Sequence, residues 1–114
     1  ISPEPALTGY NDDYLTINLE KRRIYVNGRQ ISLTATEFRL LSYLLQNADQ
    51  VIAYQTLLDK VWGEEYRDNI DYVHVYLSHL RRKIEEDPRN PKYLVNERGI
   101  GYRFETHLEP VLEH

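Results

Sequence analysis

Ile70-Asp71-Tyr72-Val73-His74-Val75-Tyr76-Leu77-Ser78-His79-Leu80-Arg81-Arg82-Lys83-Ile84-Glu85-Glu86 is the stretch on which the fold turns. Ile70, Val73, Leu77, Leu80 and Ile84 recur at steps of 3, 4, 3 and 4, the spacing of an apolar stripe along one side of an α-helix. The helix is expected to stop before Asp87-Pro88, because proline cannot continue it. With that stripe turned inward, Asp71, Val75, Ser78, His79 and Arg82 fall on the opposite side, flanked by Tyr72, Tyr76, Arg81 and Lys83. A solvated stripe would be dominated by Glu and Lys. This one mixes β-branched, aromatic, hydroxyl, imidazole and guanidinium groups, which suit base edges in a major groove. Exposed Tyr and Val equally suit a protein partner, so the stripe alone leaves both readings open.

Upstream, Thr34-Ala35-Thr36-Glu37 has the spacing of a capping box, followed by Phe38, Leu41, Leu44, Leu45 and Ala48 at helical intervals; a first helix runs to about Asn47. After a link from Asp49 to Ala53, Tyr54, Leu57, Leu58, Val61 and Trp62 mark a second helix that closes at Gly63. Before these helices, Leu15, Ile17 and Leu19, then Ile24 and Val26, then Ile31 and Leu33 alternate with polar residues, and Asn27-Gly28 is a type I′ hairpin signal. This is an antiparallel meander of three or four short strands, too small to bury its apolar face alone. At the other end, Tyr93-Leu94-Val95 and Tyr102-Arg103-Phe104 flank Arg98-Gly99-Ile100-Gly101 as a β-hairpin. The class is α+β.

Composition limits the function. The chain has 114 residues, enough for one domain. It has no Cys, which excludes disulfides, thiolate metal sites and a cysteine nucleophile. His74, His79, His107 and His114 lack the HExxH spacing, and no glycine loop could cradle phosphate, so neither enzyme nor metal or cofactor site is expected. No apolar run approaches bilayer length and no signal peptide opens the chain; a cytoplasmic protein without membrane contact is expected. The net charge of −4 argues mildly against a nucleic-acid partner, yet residues 67–103 hold 8 Lys/Arg against 6 Asp/Glu. The cationic surface is local, and it lies on the helix and hairpin just described. Residues 1–13 have no apolar period and are taken as a linker remnant, 14–106 as the domain, and 107–114 as a tail resembling vector sequence.

Four motifs in order now carry a resemblance: Ile31-Ser32-Leu33-Thr34-Ala35-Thr36-Glu37-Phe38-Arg39-Leu40-Leu41, Leu57-Leu58-Asp59-Lys60-Val61-Trp62-Gly63, Val73 to Ile84, and Arg98-Gly99-Ile100-Gly101-Tyr102-Arg103-Phe104. Together they resemble the winged-helix effector domain of OmpR/PhoB-type two-component response regulators, over about Tyr14 to Phe104. The resemblance implies a winged helix-turn-helix with an N-terminal antiparallel β-sheet, a three-helix core and a C-terminal β-hairpin wing. It implies sequence-specific double-stranded DNA binding for transcription regulation, with helix 70–86 in the major groove and the wing, near Arg98, in the minor groove.

Carried onto this chain, Val75, Ser78, His79 and Arg82 face bases or nearby phosphates. Tyr76, Arg81 and Tyr102 lie toward the backbone, and the Trp62 indole N–H reaches a phosphate. Glu64, Glu65, Tyr66, Arg67, Asp68 and Asn69 form a loop toward RNA polymerase. About 4–6 neutralised phosphates per monomer are expected. Departures from the family pattern are Asp71 and His79, where Arg or Lys is frequent, and Asn96-Glu97 before Arg98 in place of Thr-Val. Asp71 favours the helix N-terminus; His79 is expected to donate to a guanine. The small cationic excess implies a monomer in isolation that dimerises on direct-repeat half-sites. The family's receiver domain has no counterpart in residues 1–13, as in an excised effector domain or a receiver-less relative. The alternative is a winged helix used for protein contacts, anchored by Tyr72, Val75 and Tyr76.

Overall fold

The computed structural model describes residues 8–108. Strands β1 (Gly9–Asn11), β2 (Leu15–Asn18), β3 (Arg23–Val26) and β4 (Arg29–Ile31) form an antiparallel meander in that order. Ile17 pairs with Ile24, and Ile24 in turn with Ile31, so the apolar positions share one face. At the β3–β4 turn, Asn27 and Gly28 have φ of 51° and 80°, the positive pair that a type I′ turn demands.

Three helices follow: α1 (Ala35–Gln46), α2 (Tyr54–Val61) and α3 (Asp71–Ile84). The capping box forms, with the Glu37 amide donating to Thr34 Oγ1 at 3.2 Å and the Thr34 amide to Glu37 Oε1 at 2.9 Å. Helix α2 ends at Val61 with Trp62 as its C-cap, and Gly63 beyond it has φ 107°, a region that only glycine enters easily. Strands β6 (Leu94–Glu97) and β7 (Gly101–Phe104) make the hairpin, and β5 (Ile52–Ala53) pairs with β7 on its other side. Leu15, Ile17, Leu41, Leu44, Leu58, Leu77, Leu80 and Phe104 meet in one fully enclosed core between the sheets and helices.

Four expectations are corrected. The stretch expected to be a linker contains a strand, Gly9–Asn11, and its Tyr10 is buried, with its ring edge-on to Phe104 at 5.1 Å and to Tyr93 at 6.0 Å. Within the expected tail, His107 belongs to the fold: its amide donates to the Tyr10 hydroxyl at 2.9 Å. The remainder of both end assignments, residues 1–7 and 109–114, lies outside the described residues. The link before α2 contains strand β5. Helix α3 stops at Ile84, two residues short of its expected end. Glu85 is extended and buried, and its carboxylate accepts the amides of Lys92, Tyr93 and Leu94 at 2.7–3.0 Å. That anion anchors the start of β6, a stronger requirement than one more helical residue.

Gly101 also differs from its expected part in the hairpin tip. Gly99, with φ 79°, makes the turn. Gly101 is a close approach: a Cβ there would stand 1.9 Å from the Ile52 carbonyl oxygen, so β5 reaches β7 only over a glycine.

Candidate nucleic-acid interface

Helix α3 buries Val73, Leu77, Leu80 and Ile84 completely, and the five-residue outward stripe stands as spacing predicts. Asp71, Val75 and Arg82 are exposed, Val75 at 48 %, while Ser78 and His79 are half-buried. All five lie on one side of a single rod. Its first turn has no side-chain cap; the amides of Tyr72 and Val73 donate instead to the carbonyls of Asn69 and Ile70. Asp71 there and Arg81, Arg82 and Lys83 in the last turn match the helix dipole at both ends.

The three cations of the last turn have separate fates. Arg81 donates through Nε and Nη2 to the Leu94 carbonyl at 2.9 and 2.8 Å, with its guanidinium 5.4 Å from the Tyr102 ring centre. Lys83 Nζ lies 2.7 Å from Glu37 Oε1 and 3.3 Å from the Ser32 carbonyl oxygen. Only Arg82 points away from the body, tied by no more than a 3.4 Å contact to Ser78 Oγ. Arg81, expected toward the phosphate backbone, is thus engaged with the hairpin, and the exposed Lys83 is paired with Glu37.

Tyr102 is corrected as well. It is 3 % exposed, and its hydroxyl is hydrogen-bonded to His74 Nδ1 at 2.7 Å. Burial raises its phenol above the ordinary value, with the Arg81 charge opposing. Tyr54 packs edge-on against both rings, and its hydroxyl donates to Asn96 Oδ1 at 2.6 Å. Tyr54, His74, Arg81 and Tyr102 thus join the inner side of α3 to the hairpin and set where the hairpin stands. At its tip Arg98 is exposed and Ile100 is 60 % exposed. Arg103 in β7 is held by Glu97 and Glu105.

Trp62 and Tyr76 are half-buried members of an aromatic string that periodicity did not announce. Successive ring centres from Tyr66 through Tyr72, Trp62 and Tyr76 to His79 lie 5.9, 6.2, 5.2 and 5.6 Å apart. The signal was available as aromatics at i and i+4 on α3, but their partners come from α2 and the loop after it. That loop contains a 3₁₀ turn, Glu64–Tyr66; Glu64, Glu65, Arg67, Asp68 and Asn69 are exposed and Tyr66 packs on Tyr72. Among the described residues no group of three or more His, Asp or Glu side chains could hold a metal ion, and no helix is long and apolar enough to cross a membrane.

Known proteins share this arrangement. A family described as "Transcriptional regulatory protein, C terminal" matches residues 28–104. The KDP operon transcriptional regulatory protein KdpE of Escherichia coli is 41% identical over 103 residues, 90% of this chain and 44% of that protein. The sensory transduction protein RegX3 of Mycolicibacterium smegmatis is 43% identical over 89 residues, 78% and 39% of the two chains. The chain thus spans less than half the length of these relatives. Among solved structures, the response regulator DrrB, a Thermotoga maritima OmpR/PhoB homolog, superposes with a TM-score of 0.78 at 28% identity, covering 86% of this chain and 44% of the other. The Klebsiella pneumoniae RstA DNA-binding domain, in a complex with the RstA box, gives 0.77 at 27% identity, covering 89% and 100%.

Proposed function

The chain belongs to the family of transcriptional regulatory protein C-terminal domains, with the OmpR/PhoB winged-helix fold, and we propose that it regulates transcription by binding duplex DNA with α3 in the major groove and Arg98 in the minor groove. The family is a DNA-binding regulator and not an enzyme. The observation that carries the placement is the undivided outward stripe: Val75 offers an apolar contact for a thymine methyl, Ser78 and His79 offer hydrogen bonds, and Arg82 stands free at its end. Trp62 and Tyr76 flank the stripe within reach of the sugar–phosphate backbone. Arg81 and Tyr102 serve by holding the hairpin at a fixed offset from α3.

With Arg81, Lys83 and Arg103 already paired with groups of this chain, Arg82 and Arg98 dominate phosphate neutralisation. The slope of log K against log salt is then about −2 per domain, below the larger number that counting every cation suggests. Weak monomer affinity favours pairs of domains on direct repeats about one helical turn apart, head to tail. The exposed Glu64–Asn69 loop, at the N-terminal end of α3, is assigned to RNA polymerase, in a cytoplasmic setting.

Selection of duplexes from a random library, followed by titration at several salt concentrations, tests this reading. Enrichment of one motif with a measurable salt slope supports it. No enrichment and a flat salt response would direct the exposed Tyr72 and Val75 to a protein partner instead.

A further inference from the structure

His79 is the imidazole on the outward stripe, and its two nitrogens stand in different surroundings. Nδ1 faces Glu37 Oε2 at 3.8 Å. The Glu37 side chain is only 4% exposed. Its other oxygen, Oε1, already accepts from the Thr34 amide at 2.9 Å and from Lys83 Nζ at 2.7 Å. Burial raises this carboxyl, but the hydrogen bonds from Lys83 and Thr34 outweigh it and hold the group below the usual carboxylate range. Beside Nδ1, therefore, stands an anion, with its second oxygen the nearer to that nitrogen. A proton on Nδ1 is attracted there, whereas a lone pair on Nδ1 would be repelled. Tyr76 packs on the ring from one turn earlier, at 5.6 Å between centres, and limits its rotation. Nε2 occupies the opposite edge of a side chain that is 42% exposed.

We propose that His79 is a specificity-determining residue that reads DNA as an acceptor: Glu37 keeps the proton on Nδ1, and the outward Nε2 takes a hydrogen bond from the exocyclic amine of adenine or cytosine. This rests on α3 lying in the major groove. In the neutral ring Nε2 carries no hydrogen, so the guanine N7 and O6 acceptors that the family pattern suggests for this position find no donor. A buried glutamate on α1, itself touching no base in this reading, thereby selects which bases α3 accepts.

Two measurements test this. Nitrogen chemical shifts of the His79 imidazole in the free domain, at mildly alkaline pH, report the tautomer directly. The Nδ1–H form is expected, and a predominantly Nε2–H ring overturns the proposal whatever the DNA does. The second uses duplexes enriched from a random library, at the base pair whose preference His79→Ala abolishes. Deleting the amine there, with purine for adenine or an amine-free pyrimidinone for cytosine, is expected to weaken wild-type binding about fivefold and leave His79→Ala unaffected. If 7-deaza substitution at that pair weakens binding instead, His79 donates, and the acceptor assignment falls while α3 keeps its groove. If His79→Ala alters no position, His79 does not read bases and both assignments fall.

Discussion

Arg81 on α3 closes a two-pronged hydrogen bond onto the Leu94 carbonyl, 2.9 Å from Nε and 2.8 Å from Nη2, and so fastens the recognition helix to the first strand of the wing. The rigid guanidinium plane brings two donors to that one oxygen at once and so fixes its direction as well as its distance. The wing's position is thereby built into the domain before any DNA arrives.

Arg81 and Arg82 are neighbours with opposite consequences. Arg81→Ala leaves a buried carbonyl without its donors and lowers stability by about 1–3 kcal/mol, with little change in salt slope. Arg82→Ala leaves the melting temperature within a degree or so of wild type and reduces the magnitude of the salt slope by about 1. Thermal melts paired with salt titrations on both variants check this.

Lys83→Ala strands the buried Glu37 carboxylate. The loss expected is about 1–3 kcal/mol, the cost of an uncompensated, nearly buried anion reduced by the partial exposure of the lysine. DNA affinity measured well below the melting temperature changes little. Denaturant titration of the variant gives the value.

Acid destabilises through Asp12 and Glu37. Burial raises Asp12, but donors outweigh it: the Tyr10 and Tyr93 hydroxyls at 2.6 and 2.7 Å and the Leu15 and Tyr14 amides at 2.7 and 2.8 Å hold its carboxyl below the ordinary value. Glu37 is lowered likewise. A depressed folded value means the stabilisation is complete above the unfolded carboxylate range, about pH 4, and is lost as pH falls through the folded value. Stability against pH is expected to decline below about pH 4–5, less steeply in Asp12→Asn, which starts lower at neutrality.

Gly101→Ala drives a methyl into the Ile52 carbonyl and separates β5 from β7. The cost is about 1–3 kcal/mol, with hydrogen-exchange protection lost first along those two strands. Gly99→Ala is strained by its positive φ but meets no neighbour, and leaves β5 paired.

Helices, meander and hairpin were legible because each writes its inward face into a local period, and the capping box and Asn27-Gly28 are local chemistry. Strand β1 was not: three residues with one aromatic carry no period, and Tyr10 is buried by Phe104, 94 positions away in sequence. The outward stripe was legible for the same geometric reason as the core stripe. Which cations on it are free was not, because Glu37 lies 46 residues from Lys83 and the Leu94 carbonyl is offered by another element. Tyr102 was legible in part: alternation puts it on the face of the buried Phe104, but its partners Tyr54 and His74 come from other elements and leave no local sign.

The central claim is that the outward side of α3 meets base edges in the major groove. Duplexes from the random-library selection, with 5-iodouracil replacing thymine inside the enriched motif, place a photoreactive iodine in that groove. On irradiation, mass spectrometry of the digested adduct is predicted to find the cross-link within Val75–Arg82. A cross-link confined to the N-terminal sheet, or none above that of an unrelated duplex, would contradict it.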